Sequence, residues 1–415
     1  MTSEIKQRIE QIRRGEVPEG YVKTALGLAP ANWKRYTFGD IYTERKEPGD
    51  ENLPLLMVSI HSGVSDGEVD AAELPKQVKR IEDKSQYKKA VSGDLVFNMM
   101  RAWQGAIGTV RTTGMVSPAY IVAEPNDKAY PLFMDYYSRT PQMINQIDRQ
   151  SYGVTDFRKR LYWDSFAPIS CALPPIEEQQ KIAAILTTQD RVIELKEKCL
   201  AEKQRQKKYL MQQLLTGKKR LPGFNGAWKT DCLGKLFFER KETNCENIEM
   251  LAITGTQGII PRKELDLKDN SSEDKSKYLR VCVGDIGYNT MRMWQGVSAY
   301  SNYEGIVSPA YTILKPSSSI NAKYFAYLFK MSEIVFLFYR FSQGLVDDTR
   351  NLKYENFKKI KVCYPPDIKE QTAIAEVLSA ADREIELLQQ DIEQEKQKKK
   401  ALMQLLLTGI VRVKT

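Results

Sequence analysis

Histidine is almost missing from this chain. His61 is the only one in 415 residues, so a Ser-His-Asp or Cys-His mechanism, or a site needing two imidazoles, would have to be built at that single position. Cysteine is scattered as well. Cys171, Cys199, Cys232, Cys245, Cys282 and Cys363 include no pair at the two-residue separation of a zinc knuckle or redox motif, and they read as buried or incidental thiols. Long apolar runs are absent: the stretches around Ile334 to Tyr339 and Leu405 to Leu407 fall far short of the roughly 20 residues that cross a bilayer. The start of the chain, Met1, Thr2, Ser3, Glu4 with Arg13 and Arg14 behind, lacks the apolar core of a secretory signal, so a cytoplasmic protein is expected. No phosphate-binding loop ending in Gly-Lys-Ser/Thr is present.

What is present suffices for a folded core. Hydrophobic residues make up 42% of the chain and charged residues 28%, as in ordinary globular proteins. Lys plus Arg outnumber Asp plus Glu by 62 to 53, a net charge of +9. An extended polyanion is therefore a plausible partner, and the placement of the charges matters more than their number.

Self-comparison is the most informative operation. The run Gly93, Asp94, Leu95, Val96, Phe97, Asn98, Met99, Met100, Arg101, Ala102, Trp103, Gln104, Gly105 returns as Gly284, Asp285, Ile286, Gly287, Tyr288, Asn289, Thr290, Met291, Arg292, Met293, Trp294, Gln295, Gly296. The offset of 191 holds from Arg101 to Arg292, from Ser117, Pro118, Ala119, Tyr120 to Ser308, Pro309, Ala310, Tyr311, and from Gly153 to Gly344. Upstream, Gly39, Arg45 and Gly63 match Gly234, Arg240 and Gly258; downstream, Leu214, Leu215, Thr216, Gly217 match Leu406, Leu407, Thr408, Gly409. Two copies of one whole unit make up the chain.

Each copy has two parts. The first is rich in Gly, Tyr, Val and Ile with short runs such as Leu95 to Phe97, Ala119 to Val122 and Ala310 to Leu314, which read as strands of a mixed α and β globule. Pro118 and Pro309 argue for an edge position of the strands beside them. The second part follows a Pro-Pro pair (Pro174 and Pro175, then Pro365 and Pro366) and contains no Pro or Gly until Gly217 or Gly409. A proline start and a glycine stop bracket a helix of about 40 residues, roughly 60 Å long. Ile374, Leu378, Ala381, Ile385, Leu388 and Ile392 form a heptad seam, and Ile182, Leu186, Ile193, Leu200, Leu210 and Leu214 share its frame with Gln189 and Lys196 interrupting, so each helix is the natural partner of the other. Basic runs at Lys203 to Lys208 and Lys396 to Lys400 suit either a solvated face or phosphate contact. The expected fold is α+β: an N-terminal helix within 1–20, a globule over 21–175, a spacer helix over 176–217, a second globule over 218–366 and a C-terminal helix over 367–415. Such paired globules suit duplex DNA with two recognition points, though a coiled-coil protein adaptor shares the geometry.

Taken together, Gly344, Leu345, Val346, Asp347, Asp348, Thr349, Arg350, Asn351, Leu352, then Phe357, Pro365, Pro366, Glu370, Gln371, Ile374, Ala375 and Leu378 resemble the junction motif of Type I restriction-modification specificity subunits. The first copy reads Gly153, Thr155, Leu161, Phe166, Pro174, Pro175, Glu178, Gln179, Ile182, Ala183 and Leu186, and Leu221, Pro222, Gly223, Phe224 resemble the family's central region. The resemblance implies two target recognition domains separated by two long antiparallel coiled-coil helices. It also implies a non-catalytic subunit that reads a bipartite double-stranded DNA target. It implies no cofactor on this chain. The partners would be two methyltransferase (modification) subunits using S-adenosylmethionine, and restriction/translocase subunits using ATP and magnesium. The absence of an Asn-Pro-Pro-Tyr or Asp-Pro-Pro-Tyr tetrapeptide, which would hold a flipped adenine, agrees with that division of labour, and no catalytic or metal-binding set stands out. The targeting subunit of a different DNA modification system is the alternative within DNA binding.

Candidate DNA contacts are Arg101 with Gln104 and Arg292 with Gln295, whose side chains suit guanine and adenine edges, joined by Asn98 and Asn289. The competing reading makes this a repeated structural turn anchored by Trp103 and Trp294. Residues identical in both copies cannot make two domains read different bases, so sequence choice is assigned to the divergent loops 59–66 against 254–262 and 154–160 against 345–351. Arg158, Lys159, Arg160 and Arg350 lie in the second pair. Ile182, Leu186, Ile193, Ile374, Leu378 and Ile385 are the candidates for subunit docking.

Overall fold

The computed structural model describes residues 3–413 except 25–26, 51, 61–62, 66–85, 156–157, 246–247, 256–257 and 266–273, so His61 and parts of the divergent loops lie outside the described residues. The chain divides into two units, one of Met1–Leu195 with Ile392–Thr415 and one of Lys196–Asp391. No described helix is long and apolar enough to cross a membrane.

Each unit is built on a four-stranded antiparallel sheet. In the first the order is Tyr42–Glu44, Tyr120–Pro125, Leu95–Asn98, Ile107–Thr109. In the second it is Phe237–Glu239, Tyr311–Pro316, Ile286–Asn289, Ser298–Tyr300. Tyr120–Pro125 and Tyr311–Pro316 are central strands, against the edge position their prolines suggested. Pro118 and Pro309 sit in the turn before each strand, so neither removes a donor from the ladder.

The repeated Gly-Asp pair acquires a structural role. Asp94 accepts from the Val91 N–H at 2.7 Å and from Arg45 Nε at 2.8 Å; Asp285 accepts from the Cys282 N–H at 2.8 Å and from Arg240 Nε at 2.7 Å. Both carboxylates are buried, and a buried charge is tolerated only when paired and hydrogen-bonded in this way. Two helices cover one face of each sheet, Pro131–Tyr137 with Pro141–Gln150 and Ala322–Leu328 with Ser332–Phe341. Proline at the first position begins both helices of the first unit, and Asn321 caps its helix by accepting from the Tyr324 N–H.

The long helices span Ile176–Leu214 and Ile368–Leu407, and left-handed glycines, Gly217 at φ 72° and Gly409 at φ 71°, follow them. Each gives one end to each unit, and within each unit the ends run antiparallel. In the first unit Glu178 meets Arg412, Gln189 meets Glu395 and Asp190 meets Lys399; in the second Lys196 meets Asp391, Lys203 meets Glu384, Lys207 meets Asp382 and Arg220 meets Glu370. The two seam interruptions are thereby explained: Gln189, buried, donates to the Glu395 carboxylate at 2.6 Å, and Lys196 reaches Asp391 at 2.8 Å. Polar seam residues of this kind fix register. Lys203 and Lys207 of the first basic run and Lys399 of the second are likewise tied to acids of the opposite helix.

The same helix ends close the cores. Ile182, Ala183 and Leu186 pack with Leu406 and Leu407 into the first core, beside Phe97, Phe133 and Phe166. Leu214 and Leu215 pack with Ile374, Ala375 and Leu378 into the second, beside Phe237, Phe325 and Phe357. This corrects the docking assignment. Ile182, Leu186, Ile193, Ile374 and Leu378 are buried in their own unit and present no surface to another subunit, while Ile385 is half-buried. Glu and Gln of the repeated motif complete the closure: Gln179 Nε2 donates to the Pro174 and Lys128 carbonyls and Gln371 Nε2 to the Pro365 carbonyl, each at 2.8 to 2.9 Å. Glu178 accepts two bonds from Arg412 at 2.7 Å each, and Glu370 accepts two from Arg220 at 2.6 and 2.7 Å.

Because Glu178 and Glu370 are buried, removing the arginine leaves an uncompensated charge. Arg220→Ala is expected to destabilise the second unit, and Arg412→Ala the first, by about 3–5 kcal/mol, read as a fall of one transition in calorimetry. Leu378→Ala and Leu186→Ala should each cost about 2–5 kcal/mol in the same measurement, as core truncations do.

Candidate nucleic-acid interface

A strand ending in asparagine begins the site in each unit. Asn98 Oδ1 accepts from the Met100 N–H at 2.9 Å and Asn289 Oδ1 from the Met291 N–H at 2.9 Å, which turns the chain sharply out of the sheet. A single 3-10 turn follows, Ala102–Gln104 or Met293–Gln295, and ends at Gly105 with φ 103° or Gly296 with φ 80°. Trp103 Nε1 donates to the Met100 carbonyl at 3.0 Å and Trp294 Nε1 to the Met291 carbonyl at 2.9 Å. Buried Ala102 and Met293 anchor the turn from below. Asparagine and tryptophan thus build the turn, and Arg101, Gln104, Arg292 and Gln295 are its exposed side chains. The reading as a repeated structural turn holds for asparagine and tryptophan, and it leaves the arginine and glutamine side chains exposed.

A hairpin docks against each turn. Tyr152 and Arg160 exchange backbone bonds at 3.1 and 3.0 Å, and Gln343 and Asn351 do the same at 2.9 and 2.8 Å. The next residue ties the hairpin down: the Leu161 N–H donates to the Met99 carbonyl at 2.9 Å and the Leu352 N–H to the Thr290 carbonyl at 2.8 Å. Lys159 Nζ lies 4.8 Å from the centre of the Trp103 ring and 2.7 Å from Asp148. Arg350 Cζ lies 4.0 Å from the centre of the Tyr339 ring, and that ring meets Trp294 edge-on at 6.1 Å. A cation over an aromatic face therefore joins hairpin to core structure in both units. Ile60 comes alongside as well, since a Cβ on Gly105 would lie 3.4 Å from its carbonyl oxygen.

The structure accordingly brings Asn98, Arg101 and Gln104 together with the 152–160 hairpin, and Asn289, Arg292 and Gln295 together with the 343–351 hairpin. It separates their roles. Lys159 is held by Asp148 and Trp103; Arg160 donates to the Lys159 carbonyl at 2.9 Å; Arg350 donates to Asp347 at 2.7 Å and to the Tyr339 hydroxyl at 2.8 Å. The Asp347 hydrogen bond, the largest influence, raises the Arg350 pKa further, keeping it charged. Arg158 and Arg101 are exposed and form no ion pair among the described residues. Beneath the second turn, Lys330 donates to the Gly296 carbonyl at 2.7 Å, and burial pushes its ammonium below the usual lysine range. Sequence reasoning missed the apolar members of this surface, Met100, Met291, Val154 and Leu345, all exposed. The available signal was an aliphatic residue directly after the repeated glycine.

Among the described residues no group of three or more His, Cys, Asp or Glu side chains could hold a metal ion. The arrangement offers hydrogen-bonding and cationic side chains on a rigid base, suited to binding an anionic, base-bearing surface.

Comparison with known proteins identifies the family. A model of the Type I restriction modification DNA specificity domain matches residues 72–205 and 234–397, more than half of the chain. The chain is 24% identical over 446 positions to the putative type I restriction enzyme MjaX specificity subunit of Methanocaldococcus jannaschii, covering 96% of this chain and 98% of that protein. It is 25% identical over 363 positions to the type I restriction enzyme MjaVIII specificity subunit of the same organism, covering 80% and 83%. Among solved structures, the Type-I restriction-modification system S subunit from M. genitalium has a TM-score of 0.56 at 12% identity, covering 92% of this chain and 97% of that one. A chain from a structural study of complex assembly and conformational transition of the type I R-M system has a TM-score of 0.53 at 16% identity, covering 92% and 99%. At these identities the structural likeness speaks for the fold. With one family match over each copy of the repeat, the chain belongs to the Type I restriction-modification DNA specificity family.

Proposed function

We propose that this chain is the non-catalytic addressing subunit of a Type I system, which reads a bipartite duplex DNA target with one half-site per unit. One observation carries the reading: each unit presents the same exposed Arg and Gln on a rigid turn, flanked by hairpins that differ between units. The shared residues suit phosphate contact and base edges, and the differing loops suit the choice of sequence. Two methyltransferase subunits using S-adenosylmethionine would act at the site, with restriction/translocase subunits using ATP and magnesium completing the assembly. No cofactor is assigned to this chain. The location follows that of the host DNA, in the cytoplasm.

Docking of the methyltransferase subunits is reassigned to side chains that remain exposed on the long helices, Ile185 and Leu195 in the first unit and Tyr209 and Leu387 in the second. Leu195 and Leu387 occupy corresponding positions of the repeat, as two copies of one partner require.

Methylome sequencing of cells carrying the complete system, with and without this gene, should show a split motif that vanishes with the gene; a continuous motif or none would refute the assignment. Arg101→Ala and Arg292→Ala should each weaken binding of that motif by about 1–3 kcal/mol if they reach base edges, and each should relax only its own half-site in a binding-site selection. Leu195→Asp together with Leu387→Asp should abolish copurification of the methyltransferase subunits while the melting temperature stays unchanged.

A further inference from the structure

Val154 is 90% exposed and Leu345 100% exposed, the two highest values among the exposed large hydrophobic side chains. They occupy the same position of the repeat, each directly after the repeated glycine, Gly153 or Gly344. Burying such a side chain is favourable, so holding both in water forgoes a substantial gain. One stray aliphatic residue on a surface needs no explanation, but the same one twice, at corresponding hairpin tips, does.

Each hairpin is tightly closed beside its repeated glycine. A Cβ on Gly153 would lie 2.4 Å from the Arg158 carbonyl oxygen, and one on Gly344, whose φ is 141°, would lie 2.6 Å from the Thr349 carbonyl oxygen. Only glycine allows the two sides of each hairpin to close so tightly. The Arg158 N–H donates to the Thr155 carbonyl at 2.8 Å, and the Thr349 hydroxyl donates to the Val346 carbonyl at 3.0 Å. Arg350 then fastens the second hairpin to Asp347 and Tyr339. A side chain carried on a hairpin tied down in this way loses less entropy on binding than one on a free strand.

The surroundings identify the occupant. A protein-docking patch is a broad apolar area with few charges at its centre. Here each projecting aliphatic side chain, with exposed Met100 on the turn of one unit and exposed Met291 and Val346 beside it in the other, stands among hydrogen-bonding and cationic side chains of the same turn, hairpin and helix, Arg101, Gln104 and Arg158 in one unit and Arg292, Gln295 and Arg340 in the other, all exposed. An apolar point within a cationic rim matches the base stack of duplex DNA behind its phosphates.

We propose that Val154 and Leu345 are apolar wedges, one for each half-site, that press into the bound duplex and partly unstack one base step. This rests on the DNA-reading function proposed above. Arginine and glutamine would hold the backbone and base edges while the wedge makes recognition depend on how readily that step opens.

The test uses the chain assembled with its methyltransferase subunits on a duplex carrying the motif mapped by methylome sequencing, with 2-aminopurine placed at successive positions. The wild-type assembly should brighten one position in each half-site other than the methylated adenine. Val154→Ser should remove that signal from the first unit's half-site alone and Leu345→Ser from the second's alone. Both variants should keep their melting temperature, retain the footprint and bind severalfold more weakly. Unchanged affinity and fluorescence in both variants would overturn the wedge, and so would a wild-type complex that brightens only the methylated adenine. Loss of the methyltransferase subunits from either variant would overturn it by making the tip a protein contact. Absence of any footprint from the wild-type assembly would instead be the failure of the DNA-reading function, and the wedge would fall with it.

Discussion

Neither globule finishes its own core from one stretch of chain. The sheets and short helices leave an apolar gap that the start of one long helix and the end of the other fill together, Ile182 and Leu186 beside Leu406 in one unit, Ile374 and Leu378 beside Leu214 in the other. The antiparallel course of the helices is therefore a condition for folding each unit. The buried Glu178–Arg412 and Glu370–Arg220 pairs sit where those ends meet. Their bidentate geometry favours one alignment and penalises any slip that would strand a carboxylate in the core.

That closure has consequences for the rest of the helix surface. Tyr136 donates to Asp190 at 2.7 Å while Lys399 pairs with the same aspartate, and in the second unit Tyr327, Asp382 and Lys207 repeat the set. Burial, the main cause, pushes the Tyr136 hydroxyl up to about 12, so it remains a donor throughout the physiological range. Residues that read as a free basic face are in this way drawn into ties between helix and helix, or helix and globule. On the proposed function, recognition falls to the opposite kind of element, short turns and hairpins raised on the sheet, where side chains can vary without disturbing a core.

Repeat, helix limits and helix pairing were legible because each has a local signature: collinear matches, a Pro-Pro start with a glycine stop, and a seven-residue apolar spacing; the family was legible only through the resemblance of the junction motif around Gly344 to Leu378. The same spacing misled about docking. A heptad seam marks residues that must be buried, but periodicity says nothing about which surface buries them, and here the chain's own globules do so. The site was half legible. Arg101, Gln104, Arg292 and Gln295, side chains picked for their hydrogen-bonding chemistry, stand exposed. Lys159 and Arg350, chemically equivalent on paper, are held by Trp103 and Tyr339 through the folding of distant segments. Val154 and Leu345 escaped notice because exposed aliphatics look like core in any composition-based view.

Sequence alone determined that this is a duplicated α+β chain with long paired helices, since repetition and periodicity are properties of order along the polymer, and its junction motif carried the resemblance to the Type I specificity family. Tertiary structure decided which charged groups are free and which are tied, which apolar residues face water, and which loops share a surface. Those depend on contacts between residues as far apart as Glu178 and Arg412. Spacing along a chain carries no distance information at that range; packing does.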